Sequence, residues 1–295
     1  MRYPLHARLV DPARPSASPW RLLLGVVLVI VLFLALSVGY GWLCTQFLPP
    51  ETWGPDGTGI ETASTPGGAL VNLFAFGLLI LALAVVLPLL HKRGIGTLIG
   101  PRRLALRQSG RVAAFVVAVL VLGSLVQLFD PIEMLPGLPA GLWLGLLPLT
   151  VLGLLIQTGA EELLFRGYLQ SQLAARFRHP AVWMVLPSVL FGMLHFQPGL
   201  MGDAAWIIVL WAMLFGIAAA DLTARCGTLG PAITLHFINN FGAIAIASTS
   251  GYFDGLALAT YPFGPEDTAL MLRWMPMDLA LLFCSYLAAR LALRV

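Results

Sequence analysis

Long apolar runs separated by short polar connectors dominate the hydrophobic pattern of this chain. A run of about 18 or more apolar residues is typical of a helix that crosses a lipid bilayer. We interpret eight such runs as membrane-spanning helices. They lie near residues 22–43, 70–90, 112–128, 142–165, 182–196, 204–222, 229–247 and 269–291. The pattern therefore predicts an all-α fold, a polytopic membrane helix bundle of about eight transmembrane helices.

The connectors between these runs alternate in charge. Residues 1–21 are basic, 51–61 are acidic without Lys or Arg, and 91–111 are strongly basic again. Positively charged flanks mark the cytoplasmic side of a membrane protein, so we expect both termini to be cytoplasmic. Nearly all basic residues are Arg rather than Lys, which is typical of a GC-rich bacterial source. We expect an integral protein of the bacterial inner (plasma) membrane.

The apolar runs and their flanks divide the chain into four parts. Residues 1–20 form a cytoplasmic N-terminal segment, and 21–130 carry the first three helices as an accessory unit. Residues 141–250 carry helices four to seven and all of the polar motifs described below. Residues 269–295 form the final helix and a cytoplasmic C-terminus. Domain boundaries are thus expected in the connectors rather than in a separate linker.

Composition excludes several classes of protein. Only 11% of the residues are charged and 59% are hydrophobic, whereas a soluble domain carries about 25% charged residues. A soluble enzyme, a disordered regulator and a nucleic-acid-binding protein are therefore not expected. The three cysteines are scattered and contain no C-x-x-C pair, which argues against a disulfide framework or a thiolate metal site.

Ionisable residues inside the predicted spans are concentrated in the second half of the chain. Each such group costs roughly 2.5–3.5 kcal/mol on insertion, so these groups usually pair with one another or serve function. They fall in three short motifs: Glu161-Glu162-Leu-Leu-Phe-Arg166, Phe191-Gly-Met-Leu-His195 and His236-Phe-Ile-Asn-Asn240.

Helical spacing predicts which of these side chains share a face. Glu162 and Arg166 are separated by four residues and can form an ion pair. Glu161 is rotated by about 100° from Glu162 and can face a different neighbour. His236 and Asn240, and likewise Phe191 and His195, have the spacing of side chains on one helix face.

Two of these side chains, on the two predicted helices of one hairpin, are also expected at the same depth in the membrane. Glu161 and His195 are each 17 residues from the polar turn at Arg178, so they should lie at similar depth in antiparallel helices. A cavity that opens toward the cytoplasm could collect Glu161, His195, His236 and Asn240.

These four side chains form a hydrolytic set. A desolvated Glu can take a proton from water, and His and Asn side chains can donate hydrogen bonds to a developing oxyanion. Alternatively, Glu161, His195 and His236 could hold a zinc ion that activates the same water. The pattern supports both, so the cofactor is either Zn²⁺ or none.

At these motifs the sequence resembles the CPBP (Abi) family of intramembrane proteases, whose eukaryotic branch is the type II CAAX prenyl endopeptidase. The resemblance covers roughly residues 145–250 and includes E-E-x-x-x-R, F-x-x-x-H and H-x-x-x-N in that order. It implies a membrane-embedded peptidase in which Glu161 activates water and His195, His236 and Asn240 complete the site. Glu162, Arg166 and Phe191 would support them. Both a metalloprotease mechanism and a metal-free glutamate mechanism are associated with the family.

The expected partners are a peptide or membrane-associated protein substrate and membrane lipid, with no nucleic acid; nothing in the pattern indicates an oligomeric state or a prenylated substrate. Two alternatives stay open. Members of the same family are linked to bacteriocin immunity, and such a protein could act by binding alone. A transporter or channel could use the same polar groups as a proton or ion relay.

Overall fold

The fold is a polytopic bundle of α-helices, as the hydrophobic pattern predicts. A computed structural model describes residues 3–55, 57–125 and 132–295. The last residues of the third predicted span, 126–128, and the acidic flank at Asp130 lie outside the described residues.

The described helices that build the bundle are labelled in chain order. They are α1 (Pro19–Phe47), α2 (Pro66–Val86), α3 (Arg102–Ser124), α4 (Ala140–Glu162), α5 (Gln170–Arg176), α6 (Leu186–Met193), α7 (Ala205–Cys226), α8 (Gly230–Asn240) and α9 (Thr268–Leu293). Segments of π-helix extend α2 through Leu87–His91 and α8 through Phe241–Ile246, and another, Ala181–Val185, precedes α6. A fourth, Leu163–Leu169, joins α4 to α5 without a break. One-turn helices lie at Ala7–Val10, Gly96–Ile99 and Pro198–Met201.

Six of the described helical stretches are long and apolar enough to cross a membrane, so the predicted number of eight is not confirmed. They are Pro19–Phe47, Pro66–His91, Arg102–Ser124, Ala140–Arg176, Pro198–Cys226 and Thr268–Leu293. The predicted span at 182–196 is the short helix Ala181–Met193, which at about 1.5 Å per residue covers roughly 20 Å of a 30 Å hydrocarbon layer. The predicted span at 229–247 begins with α8 and ends at a strand.

A small sheet closes the end of the bundle that follows α8. Strand β1 (Leu135–Pro136) pairs antiparallel with β3 (Ala259–Tyr261), and β3 pairs parallel with β2 (Ala247–Thr249). In register, Thr260 lies opposite both Leu135 and Ser248. These strands have two or three residues each, too short for a period-two pattern to be recognisable in the sequence.

The N-terminal segment is packed against the bundle. Leu9 is completely buried, and the Tyr3 hydroxyl donates a hydrogen bond to Asp221 Oδ1 on α7 at 2.8 Å. The His6 ring lies 4.9 Å from the Trp183 ring. Residues 3–16 are therefore a docked part of the fold, which their basic, proline-rich sequence does not indicate.

The principal apolar core is formed mainly by buried side chains of α2, α3, α6, α7, α8 and the π-helical segment Leu163–Leu169. Its largest fully buried apolar side chains include Tyr168, Phe191, Phe215 and Leu222. Of the polar motif residues, Glu162, Arg166 and His236 are buried in this core, and the buried charges among them require partners. Glu161, His195 and Asn240 are half-buried.

Candidate functional site

A buried ion pair lies at the centre of the site. Arg166 Nη1 donates to Glu162 Oε1 at 2.9 Å, and the two side chains are 1% and 0% exposed. Both residues lie where α4 passes into the π-helical segment Leu163–Leu169, and π-helical turns often occur at functional sites. The predicted pair therefore forms, at the spacing that the sequence gives.

The same carboxylate orients His236. The Nδ1 atom of His236 lies 2.9 Å from Glu162 Oε1. Because a carboxylate oxygen accepts, Nδ1 carries the proton. The opposite nitrogen, Nε2, then faces Glu161 and lies 3.4 Å from its Oε2. Glu162 thus holds the imidazole between the two adjacent carboxylates.

Glu161 differs from Glu162 in its surroundings. Its Oε2 accepts a hydrogen bond of 2.7 Å from Gln157 Nε2. Its Oε1 accepts no hydrogen bond from the described part of the chain. The side chain is 13% exposed, whereas that of Glu162 is 0% exposed. One oxygen of Glu161 is therefore free to bind water, while both oxygens of Glu162 are enclosed by protein.

Gln157 connects Asn240 to this carboxylate. Asn240 Nδ2 donates to Gln157 Oε1 at 2.9 Å, and Gln157 Nε2 donates to Glu161. Gln157 was not predicted from the sequence, because it is not ionisable and the candidate residues inside the spans were recognised by their ionisable side chains. Its position four residues before Glu161, on the same helix face, is a signal that could have identified it.

His195 approaches the site from the end of α6. Its Nδ1 lies 2.9 Å from the Phe191 carbonyl oxygen. Because a carbonyl only accepts, Nδ1 carries the proton and Nε2 is left with a lone pair in the neutral ring. The Phe191 ring lies 4.8 Å from the His195 ring and 5.9 Å from the His236 ring. No hydrogen bond joins His195 to Glu161 among the described residues, and Phe191 is the residue that contacts both histidine rings.

Aromatic side chains enclose the ion pair. The Arg166 guanidinium carbon lies 4.5 Å from the Phe191 ring centre and 6.0 Å from that of Phe215. This stacking is a favourable environment for a buried guanidinium. Phe215 was also missed from the sequence, because one Phe in an apolar run carries no distinguishing signal.

A glycine allows α7 to approach this guanidinium. A Cβ atom at Gly216 would lie 3.1 Å from Arg166 Nη2 and 2.9 Å from Ser188 Cβ. Both distances are shorter than ordinary carbon contacts. The ion pair therefore depends on the absence of a side chain at Gly216.

The predicted zinc ligands do not form a ready ligand set. Within the described ranges, no group of three His, Cys, Asp or Glu side chains is arranged to hold a metal ion. Glu161 and His236 are neighbours, and the Nδ1 atom of His195 donates to the Phe191 carbonyl, which leaves Nε2 as the nitrogen that a metal ion could bind. The three side chains are of the types that zinc binds, but within the described residues they are not gathered into a metal site.

Comparisons with known proteins agree with the motifs. The family model described as type II CAAX prenyl endopeptidase Rce1-like matches residues 143–242. The matched segment contains all three motifs, so the comparison supports the resemblance to the CPBP proteases. The chain therefore combines a segment similar to the type II CAAX prenyl endopeptidases with described helices that are long and apolar enough to cross a membrane.

A curated relative has been found in Bacillus subtilis (strain 168). It is the uncharacterized protein YyaK, which is 30% identical over 103 residues. The match covers 34% of this chain and 34% of YyaK, so the chain spans about a third of the length of that relative. No solved structure matches the chain significantly.

Proposed function

We propose that this protein is an intramembrane endopeptidase that hydrolyses a peptide bond with water activated by Glu161. The observation that carries the proposal is the contrast between two adjacent carboxylates. Arg166 and His236 both bind Oε1 of Glu162, and its Oε2 is buried without a partner among the described residues, so water does not reach this carboxylate. Glu161 is held through Oε2 by Gln157, and its side chain is 13% exposed, so its Oε1 can bind water. A general base needs a free lone pair at a fixed position, and Glu161 has both.

The neighbouring side chains provide the remaining chemistry. Water bound at Glu161 Oε1 attacks the scissile carbonyl carbon, Glu161 takes the water proton, and the proton passes to the leaving amine. Asn240 Nδ2 carries two hydrogens, one of which is bonded to Gln157, so the second can donate to the oxyanion. His195, when protonated, supplies a second donor through Nε2.

The substrate and the location follow from the membrane setting. We propose that a peptide or a membrane-associated protein segment enters from the cytoplasmic leaflet of a bacterial plasma membrane, and that both chain termini lie on that side. The basic connectors support this orientation. The family description supports a substrate with a prenylated C-terminus as the first to test.

The proposal is tested with the full chain in proteoliposomes. Internally quenched peptides with and without a farnesyl thioether near the C-terminus are incubated with the wild-type protein, and products are identified by mass spectrometry. We expect cleavage of at least one peptide, and the same cleavage after the protein is purified in chelator with no metal detected by elemental analysis. Activity that is abolished by chelator and restored by zinc would contradict the metal-free mechanism. The proposal that the protein is an enzyme would be contradicted by two results together. No peptide would be cleaved, and the Glu161→Gln variant would still protect cells fully against a bacteriocin.

A further inference from the structure

An open cavity of about 500 Å³ lies where the N-terminal segment enters α1. It shares no residue with the Glu161 site. The described residues that line it include three arginines and no carboxylate. They are Arg14, Pro15, Ala17, Ser18, Pro19, Trp20, Arg21 and Arg176.

The charges of these arginines are poorly compensated. Arg14 forms an ion pair with Asp11 at 2.8 Å, but both side chains are more than half exposed, and such surface pairs contribute little. Arg21 and Arg176 lie beside the aromatic rings of Trp20 and Phe177 and form no ion pair within the described ranges. The cavity therefore has a net positive wall.

A fourth arginine increases the positive potential nearby. Ser16, between two lining residues, is hydrogen-bonded to His91 at 2.9 Å, and Arg93 follows two residues later. Arg93 is buried, and its Nε and Nη1 atoms have no hydrogen-bond partner in the described parts of the chain. Burial lowers the pKa of Arg93 to about 10, which still leaves it charged at neutral pH. An anion close to this region would offset a charge that the protein itself leaves unpaired.

The cavity also lies next to the lipid-facing side of α1. It is built around the first residues of this membrane-spanning helix. Trp20 is 61% exposed, as is typical of an aromatic side chain at the membrane interface. The exposed side chains of Leu23, Leu24 and Val27 continue from it along the helix. A phosphate in the cavity could therefore be attached to acyl chains that lie along α1.

We propose that this cavity binds the headgroup phosphate of an anionic phospholipid. Free phosphate shares the same chemistry, but the adjoining apolar face of α1 favours the lipid. Such a site would anchor the docked N-terminal segment and α5 to the membrane surface, because Arg14 and Arg176 come from these two elements.

The test uses the full-length protein in detergent, titrated with phosphatidylglycerol or phosphatidylcholine, with retained lipids counted by native mass spectrometry. The cavity variant is Arg14→Gln/Arg21→Gln/Arg176→Gln. The control Arg102→Gln/Arg103→Gln/Arg107→Gln removes the same charge from exposed arginines of α3 that do not line the cavity. The single variant Arg176→Gln changes one exposed side chain and covers the case in which the triple variant does not fold.

We expect the wild type and the control to prefer phosphatidylglycerol, and the cavity variant to bind it about a hundredfold more weakly, at about fivefold per arginine. Equal losses in the cavity variant and the control would overturn the proposal, since they would indicate non-specific attraction. An unchanged preference in the cavity variant and in Arg176→Gln would also overturn it. Binding of inorganic phosphate as tight as that of phosphatidylglycerol would overturn the assignment to a lipid.

Discussion

Gln157 Nε2 donates a hydrogen bond of 2.7 Å to Glu161 Oε2, and this contact fixes the carboxylate that we propose as the general base. The other end of the Gln157 amide accepts from Asn240. One uncharged side chain thus orients both the proposed base and a proposed oxyanion donor. The arrangement of the site therefore depends on a residue outside the three motifs that identify the family.

Replacing Gln157 by Leu should slow hydrolysis without unfolding the protein. We expect kcat to fall by about a hundredfold, because both Glu161 and Asn240 lose their orientation, whereas KM should change little. The measurement is steady-state cleavage of the peptide identified with the wild type. Thr158→Val is the matched control, since Thr158 is buried one residue away and, among the described residues, its hydroxyl bonds only to the Leu154 carbonyl of its own helix. A Gln157→Leu rate within twofold of the control would contradict a positioning role.

Removing Arg166 should destabilise the fold. Arg166→Leu leaves the buried Glu162 carboxylate with His236 alone, which we expect to cost about 3–5 kcal/mol in the free energy of unfolding. Unfolding in detergent, followed by tryptophan fluorescence, measures this change. The double variant Glu162→Gln/Arg166→Leu should recover much of the loss, because the uncompensated charge is removed. Additive effects of the two changes would show that the pair is not energetically coupled.

Gly216 and Gly159 offer a matched pair of substitutions. Gly216→Ala places a Cβ atom against Arg166 and Ser188, so we expect a loss of about 1–3 kcal/mol in stability. A Cβ atom at Gly159 meets nothing within 4 Å, and Gly159→Ala should be neutral or stabilising by up to about 1 kcal/mol because alanine favours helix. Thermal unfolding of the two variants gives the comparison. Equal changes in unfolding temperature for Gly216→Ala and Gly159→Ala would show that the close approach of α7 to the Arg166 guanidinium does not limit stability.

The docking of the N-terminal segment should weaken in acid. Burial lowers the pKa of His6 from 6.5 to about 4, so the docked state favours the neutral ring. Between pH 4 and pH 6.5 the undocked segment binds more protons than the docked segment. The free energy of docking is therefore most favourable above pH 6.5 and becomes less favourable as the pH falls toward 4. The loss should reach about 3 kcal/mol at pH 4.

Hydrogen exchange of residues 3–16, corrected for the intrinsic effect of pH, measures this change. His6→Phe keeps an aromatic ring beside Trp183 but does not titrate, so its protection should be much less dependent on pH. Equal pH dependence in the wild type and His6→Phe would contradict a role for His6.

The sequence predicts the bundle and most of the site for physical reasons. Apolar runs indicate helices because a lipid-facing backbone must satisfy its own hydrogen bonds, and the four-residue spacing of Glu162 and Arg166 is sufficient to pair them. The length of α6 was not predicted, since the turn after Met193 depends on the surrounding fold. Gln157 was missed because an amide in an apolar run carries no charge signal. The burial of residues 3–16 depends on distant partners such as Asp221 and Trp183.

The most direct test of the central claim is the cleavage rate of Glu161→Gln relative to the wild type and Thr158→Val, in proteoliposomes with equal amounts of folded protein. Glutamine keeps the shape of the side chain but cannot take a proton from water. We predict that kcat falls by at least about a thousandfold in Glu161→Gln, while Thr158→Val stays near the wild-type rate. Cleavage by Glu161→Gln at the wild-type rate would contradict the account.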